Sequence, residues 1–424
     1  MTIETQAQPA VTTRKRPLAL VALLASDGIS RAGNAITMIA VPLYVLATTG
    51  SALSAGIVGV CSTLPVVLGG AFGGALVDRI GRKASSIIAD LASGLTVLAI
   101  PILAALGLLP FWALLTLVLL SGILDVPGST ARISLLPDVT ERAGTRLSRA
   151  TGAHATIQRT ATLLGAGSAG AIVAIAGPVE ALYLNAACFA VSALITGVGI
   201  PRQLATVDPA EDPDAAPIGY WRSLASGFTF IARQPLVRSM VLLVVVTNAI
   251  DAAGMTVLKP VYAIGVDADG AFLGAMFAFF AGGALLGAAC YSAVGHRLPQ
   301  RALLIAAFVV AGVTPYAAMA IGVPEGVLLA LLALSGFAAG PINPILDTAL
   351  FAVLPATLRA RVFGAIAACV AAAMPLGALL AGIGVEAWGL VPCLIAAAVL
   401  YAAATLSTLI VPQWRALDGR PQDS

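Results

Sequence analysis

The sequence predicts an all-α integral membrane protein, with twelve transmembrane helices arranged as two pseudo-symmetric six-helix bundles. Three observations support this. The chain is 59% hydrophobic and only 10% charged over 424 residues, whereas a soluble domain carries about 25% charged residues. A bilayer accepts the apolar exterior that such a composition leaves. The apolar residues fall in continuous runs close to the ~20 residues a membrane helix needs, without the alternation of barrel strands. Arginine and lysine are confined to every second loop between those runs, as the positive-inside bias requires.

With glycine, proline and charge as punctuation, the spans in order are 18–47, 52–77, 85–107, 110–136, 148–175, 178–200, 237–263, 270–294, 302–322, 325–353, 362–384 and 388–412. The basic residues assign a side to each loop. Arg14, Lys15 and Arg16 put the N-terminus in the cytoplasm. The cytoplasmic loops then hold Arg79, Arg82 and Lys83; Arg142, Arg146 and Arg149; Arg202, Arg222, Arg233 and Arg238; Arg297 and Arg301; Arg359 and Arg361; and at the end Arg415 and Arg420. The outer loops hold acids instead, such as Glu180, Asp267, Asp269, Glu325 and Glu386. Both termini are expected in the cytoplasm and the protein in the inner (plasma) membrane. RKRPLALVALLAS at 14–26 also has the charge and apolar core of a secretory signal. Its removal would leave eleven spans and invert the charge pattern.

Residues 201–235 interrupt the rhythm. PRQLATVDPAEDPDAAP is acidic and proline-rich and reads as a flexible linker. YWRSLASGFTFIARQP follows, with aromatics among basic residues, and fits a short helix at the inner membrane surface or a loop that happens to hold Trp221 and Phe228. The expected divisions are a cytoplasmic tail 1–17, a bundle 18–200, a linker 201–235, a second bundle 236–412 and a tail 413–424. The two sides echo each other: SDGISRAG (26–33) aligns with TNAIDAAG (247–254), and each is followed by a proline and tyrosine, VPLY (41–44) and KPVY (259–262). Fused six-helix repeats place a ligand site near the midplane between the halves. One chain then holds both halves, so a monomer suffices.

After more than forty uncharged residues, GGALVDRIGRK (73–83) packs four charges into six positions. Gly74 and Asp78 share a helix face, and Gly81 permits a tight reversal. Asp78 can accept hydrogen bonds from a neighbouring helix N-terminus, while Arg82 and Lys83 hold the loop inside. Such a knot can serve as a latch that forms in one conformation and breaks in another. GALVDRIGRK resembles the signature loop of the major facilitator superfamily (MFS), G-x-L-x-D-R-x-G-R-K, at Gly74, Leu76, Asp78, Arg79, Gly81, Arg82 and Lys83. The resemblance implies a secondary active transporter working by alternating access. It also implies a loop that steadies the outward-open state against span eleven, and an acid near the inner end of span four, here Asp138, that meets the loop arginines. GHRLPQR (295–301) is the degenerate second-half counterpart. Residues 25–53, GSTARISLLPDV (128–139) and YWRSLASGFTFIARQP resemble the branch of macrolide-type drug exporters and the enterobactin exporter. Two elements usual in drug antiporters are absent: LLGAGSAGA (163–171) lacks the proline of the G-P-x-x-G-G element, and no arginine precedes Gly122.

Charges inside spans are costly, about 2.5–3.5 kcal/mol each at midplane on insertion scales, so each needs a cavity or a partner. Asp27 and Arg31 are four apart on span one: a self-neutralising pair, or a proton or substrate site. Asp251 lies at similar depth on span seven. A carboxylate in a low-dielectric cavity can titrate near neutral pH, which proton-coupled carriage requires. Asp125, midway along span four, is a further candidate, with Arg159 as its expected partner. Asn34 and Asn248 add polar lining or bond neighbouring helices. Arg132 is expected to snorkel or join the loop cluster, and Lys259 to snorkel outward. Asp90 and Asp347 suit gating or structural roles.

Cys61, Cys188, Cys290, Cys369 and Cys393 sit in apolar runs with no C-x-x-C spacing and read as packing residues. His154 and His296 form no zinc spacing. A net charge of +3 gives no reason to expect a nucleic-acid partner. With no Walker loop or nucleophile elbow, the sequence predicts no enzyme, metal or cofactor, and a proton gradient as the energy source. Proton-coupled efflux of small amphipathic or hydrophobic compounds, drugs or a siderophore-like metabolite, is the favoured reading. The alternatives are a metabolite uptake carrier of the same fold and a non-transporting membrane sensor.

Overall fold

The structure, a computed structural model, describes residues 17–201, 220–266, 271–355, 358–410 and 414. The expected tails except Pro17 and Trp414, the linker core 202–219 and Asp267 and Asp269 lie outside the described residues, as do the side chains of Asp78, Arg79, Trp221, Arg222 and His296 and the surroundings of Gly74. All regular structure among the described residues is helical.

Six long helices come first: α1 (Pro17–Thr49), α2 (Ala52–Ile80), α3 (Arg82–Ala105), α4 (Phe111–Arg142), α5 (Leu147–Ala176) and α6 (Ala181–Gly199). A short helix, α7 (Tyr220–Arg233), separates them from six more. These are α8 (Pro235–Val266), α9 (Ala271–Val294), α10 (Gln300–Ile321), α11 (Glu325–Ala339, resumed after Pro341 as Ile342–Val353), α12 (Arg359–Trp388) and α13 (Leu390–Ile410). By length and composition, ten of the twelve long helices can cross a membrane. The other two are α2, whose described apolar stretch is Ala52–Val66, and α5. The latter carries Arg149, His154, Gln158 and Arg159, and these lower its hydropathy. Large apolar side chains stand on the outside of the bundles, Ile175 at 88% and Val198 at 82% exposure. Only lipid makes such a surface stable.

Because lipid supplies no hydrophobic drive between helices, close approach rests on small residues. In the first half, Gly165 sits against the Ala32 backbone, and Gly33 leaves room for Asn185 and Cys188. Between halves, α2 packs on α12 and α5 on α9. Gly56 faces Ala378 and Gly382, Gly59 faces Ala378 and Thr256, and Gly170 touches Gly274 backbone to backbone. Leu46, Ala52, Ala55 and Val257 form a buried cluster beside them, and Glu386 accepts hydrogen bonds from the Ser51 hydroxyl (3.2 Å) and the Leu53 N–H (3.4 Å). The contacts between the halves lie toward the ends of the helices remote from Gly81. The structure is therefore sealed between the halves at that end.

Two helices of the second half contain a wide π turn, Gly254–Leu258 in α8 and Val309–Val313 in α10. The segment after the linker is helical: α7 lies on α12, with Gly227 against the Arg361 carbonyl.

A β-carbon at position 170 would overlap the Gly274 Cα, and backbone cannot yield as a side chain can. Gly170→Val should lower the stability of the purified protein by about 1–3 kcal/mol or more, the scale of core overpacking. A detergent melting curve no different from wild type would show that this crossing does not hold the halves together.

Candidate functional site

The first bundle is organised around one guanidinium. Arg132 on α4 is 2% exposed, so no water stands in for missing partners, and every N–H must find a protein acceptor. Its Nε donates to Asp27 Oδ1 of α1 at 3.2 Å. Its Nη1 meets both oxygens of Asp90 on α3, at 2.8 and 3.0 Å, and Ser86 Oγ at 3.4 Å. Its Nη2 donates to Ser30 Oγ at 3.3 Å and stands 3.8 Å from Asp125 Oδ1. The planar fork of arginine suits such multi-acceptor packing in a way an ammonium does not. From α6, the Ser192 hydroxyl donates to Asp90 Oδ2 at 2.7 Å.

The second oxygen of Asp27 collects a different set. Arg31 Nε donates to Oδ2 at 3.2 Å, Gln158 Nε2 of α5 donates at 3.2 Å, and His154 Nε2 lies at 3.1 Å. His154 Nε2 is also 3.1 Å from Gln158 Nε2. With a proton on Nε2 the imidazole donates to Asp27; without it, the same nitrogen accepts from Gln158. The triangle therefore accommodates either state. Asn34 donates to Asp125 Oδ2 at 2.9 Å, while Asp125 Oδ1 has no hydrogen-bond partner.

Asp27, Arg31, Asn34, Asp125 and Arg132 line a cavity of about 420 Å3, with apolar walls from Met38, Ile39, Val66, Ala166 and Met255. Met255 also lines a second cavity of about 260 Å3 in the other half, bounded by Asn248, Asp251, Lys259, Phe277, Phe280, Tyr316 and Tyr401. The two adjoin at Met255, one lobe in each half. Asp251 is exposed in the second. Asn248 lines it too, but donates its amide to Val244 of its own helix at 2.8 Å.

At the α2–α3 turn, Gly81 has φ 89° and ψ 146°, a conformation that glycine adopts without strain. Its N–H closes α2 on the Val77 carbonyl. Arg82 Nη1 pairs with Asp138 Oδ2 at 2.6 Å, tying the turn to α4. The Lys83 ammonium donates to the Gly197 carbonyl at 2.7 Å and to that of Ile200, placing a cation at the α6 C-terminus, where the helix dipole favours it.

Several placements differ from the sequence reading. Arg132 does not snorkel; it is buried because three carboxylates surround it. Asp125 pairs with Arg132 and Asn34, not Arg159. Lys259 turns inward, its ammonium 5.5 and 5.4 Å from the ring centroids of Phe277 and Phe280. Sequence reasoning missed His154, Gln158, Ser86 and Ser192. For the α5 pair a signal existed, two polar residues four apart and so on one face of a predicted span. The serines gave none, since hydroxyls bond their own helix equally well. All five cysteines are free.

A bundle of twelve long helices around a two-lobed central cavity defines a membrane transporter. The chain belongs to the Major Facilitator Superfamily, whose family model matches residues 23–273. It is 30% identical to the multidrug efflux pump Tap of Mycolicibacterium fortuitum over 96% of this chain and 98% of that one. It is also 30% identical to the Tap pump of Mycobacterium tuberculosis H37Rv, over 92% and 93%. Among solved structures, a mutant of the nucleoside transporter NupG superposes with a TM-score of 0.76 at 14% identity, covering 93% of this chain and all of that one. The peptide transporter POT, in complex with sulfate, superposes at 0.64 with 17% identity, covering 93% and 95%. At those identities the two structures share the fold.

Removing one partner of a buried ion cluster costs about 3–5 kcal/mol, because the remaining charges stay unpaired. Arg132→Met should therefore melt well below wild type, and adding Asp90→Asn should recover part of the loss. An Arg132→Met protein with an unchanged melting curve would show that the guanidinium is not what joins these helices.

Proposed function

We propose that this transporter exports small amphipathic or hydrophobic compounds and draws its energy from inward proton flow. The observation that carries this reading is a charge count. Three carboxylates, Asp27, Asp90 and Asp125, share two guanidiniums, Arg31 and Arg132. Fully ionised, the cluster holds one uncompensated negative charge in a low-dielectric setting, and one proton neutralises it. His154 and Gln158 stand where that proton can arrive or leave, against the Asp27 oxygen that Arg132 does not use. The mainly apolar walls suit hydrophobic cargo. The Tap pumps, related along nearly the whole chain, are named multidrug efflux pumps.

The positive-inside bias of the loops supports a cytoplasmic α2–α3 turn and cytoplasmic termini, in a plasma membrane. The sealed end is then the outer one, and the arrangement faces inward. In this reading the turn, with Gly74, Asp78, Arg79, Gly81, Arg82, Lys83 and Asp138, is a latch that re-forms on α12 when the protein faces outward, and a monomer is the working unit.

The test uses a host stripped of its own efflux pumps and a varied panel of fluorescent compounds. Expression should lower accumulation of some compounds severalfold (about 1 kcal/mol of gradient or more), and a protonophore should restore it. Asp27→Asn leaves two acids against two arginines. It should still bind cargo and exchange it down a gradient, but lose uphill export. If no compound responds while the protein is present in the membrane, or if the protonophore changes nothing, the reading is wrong.

A further inference from the structure

The second-half lobe contains two opposite charges that do not pair. Asp251 and Lys259 both line it, yet among the described residues neither forms an ion pair. Eight residues of α-helix turn through about 800°, which would leave the two side chains about 80° apart around the axis. The π turn at Gly254–Leu258 lies between them and absorbs one extra residue. The eight residues therefore complete close to two turns and bring Asp251 and Lys259 onto one face. Gly254 within that turn leaves space for the Tyr316 ring, whose hydroxyl donates to the Ile250 carbonyl at 3.1 Å. That bond braces the helix beside Asp251.

Each charge is held differently. The Lys259 ammonium lies over the faces of Phe277 and Phe280, which attract a cation without supplying an acceptor. Its N–H donors stay available. The Asp251 carboxylate is open to the cavity, and among the described residues no hydrogen-bond donor reaches it. A cation alone would be drawn to Asp251 and repelled by Lys259; an anion alone would meet the reverse. A molecule carrying both charges satisfies both groups.

We propose that this lobe is a recognition site for zwitterionic amphiphiles, with the cationic end on Asp251, the carboxylate on Lys259, and the apolar body extending past Met255 into the first lobe. The proposal rests on the transport reading above for its cargo, but is tested separately, by binding. The probes are rhodamine B, a zwitterion with a free carboxylate, and its ethyl ester, a cation of nearly the same shape. Fluorescence anisotropy on the purified full-length protein gives the affinity for each. Wild type should prefer the zwitterion. Lys259→Met should weaken rhodamine B binding by about tenfold, the scale of one charge-assisted contact, and leave the ester unchanged or tighter. Lys259→Arg should retain the preference, which separates lost charge from lost packing. Asp251→Asn should weaken both dyes. Equal wild-type affinity for the two dyes, a preference that survives in Lys259→Met, or no binding of either dye would each overturn the assignment. If both dyes bind with the expected preference but neither is pumped from cells, the lobe assignment stands and the efflux reading falls.

Discussion

One buried guanidinium sets the terms for the first half of this molecule. Arg132 cannot be hydrated where it lies, so the fold has to bring acceptors to it. It does so from α1 through Asp27 and Ser30, and from α3 through Ser86 and Asp90. On α4 itself Asp125 faces it; α6 adds Ser192 to Asp90, and α5 adds His154 and Gln158 to Asp27. In a lipid environment apolar contact alone does not select one helix arrangement over another. Directional bonds to a single centre do, and five of the first six helices are reached by them. The same arrangement sets three carboxylates against two guanidiniums, with His154 beside Asp27.

The seam between the halves follows a different rule. Where α5 crosses α9 and α2 crosses α12, the contacts are glycine against backbone, with few polar bonds. A seam that has to open and close favours surfaces that part without stranding charges, and the crossing at Gly170 and Gly274 is of that kind. The hydrogen bonds described across it sit at the rim, where Glu386 meets Ser51 and Leu53.

The helical layout was legible in the sequence because it is written in twenty-residue averages, in which single residues matter little. The loop at 73–83 was legible for the opposite reason: its charges have no other place in a membrane protein. Partner choice within the membrane was not legible. Arg132 and Lys259 both invited the reading that a long basic side chain reaches for the nearest interface. The outcome turned on what surrounds each: carboxylates on α1, α3 and α4 itself for one, and two phenyl rings on α9 for the other. Which helices face each other cannot be identified from one chain's periodicity. The π turn in α8 was equally hidden, since an extra residue in a run of apolar side chains leaves no mark on composition.

The two π turns occur only in the second half among the described residues, at Gly254–Leu258 and Val309–Val313. Such turns are sites where a helix bends at lower cost than elsewhere. The first half has no π turn among the described residues; its helices bend at interior prolines, Pro42, Pro65, Pro101, Pro127 and Pro137, and are cross-braced through Arg132. The two halves are thus held differently: a polar centre ties five helices of the first, while two helices of the second carry a wide turn that re-aims the side chains beyond it.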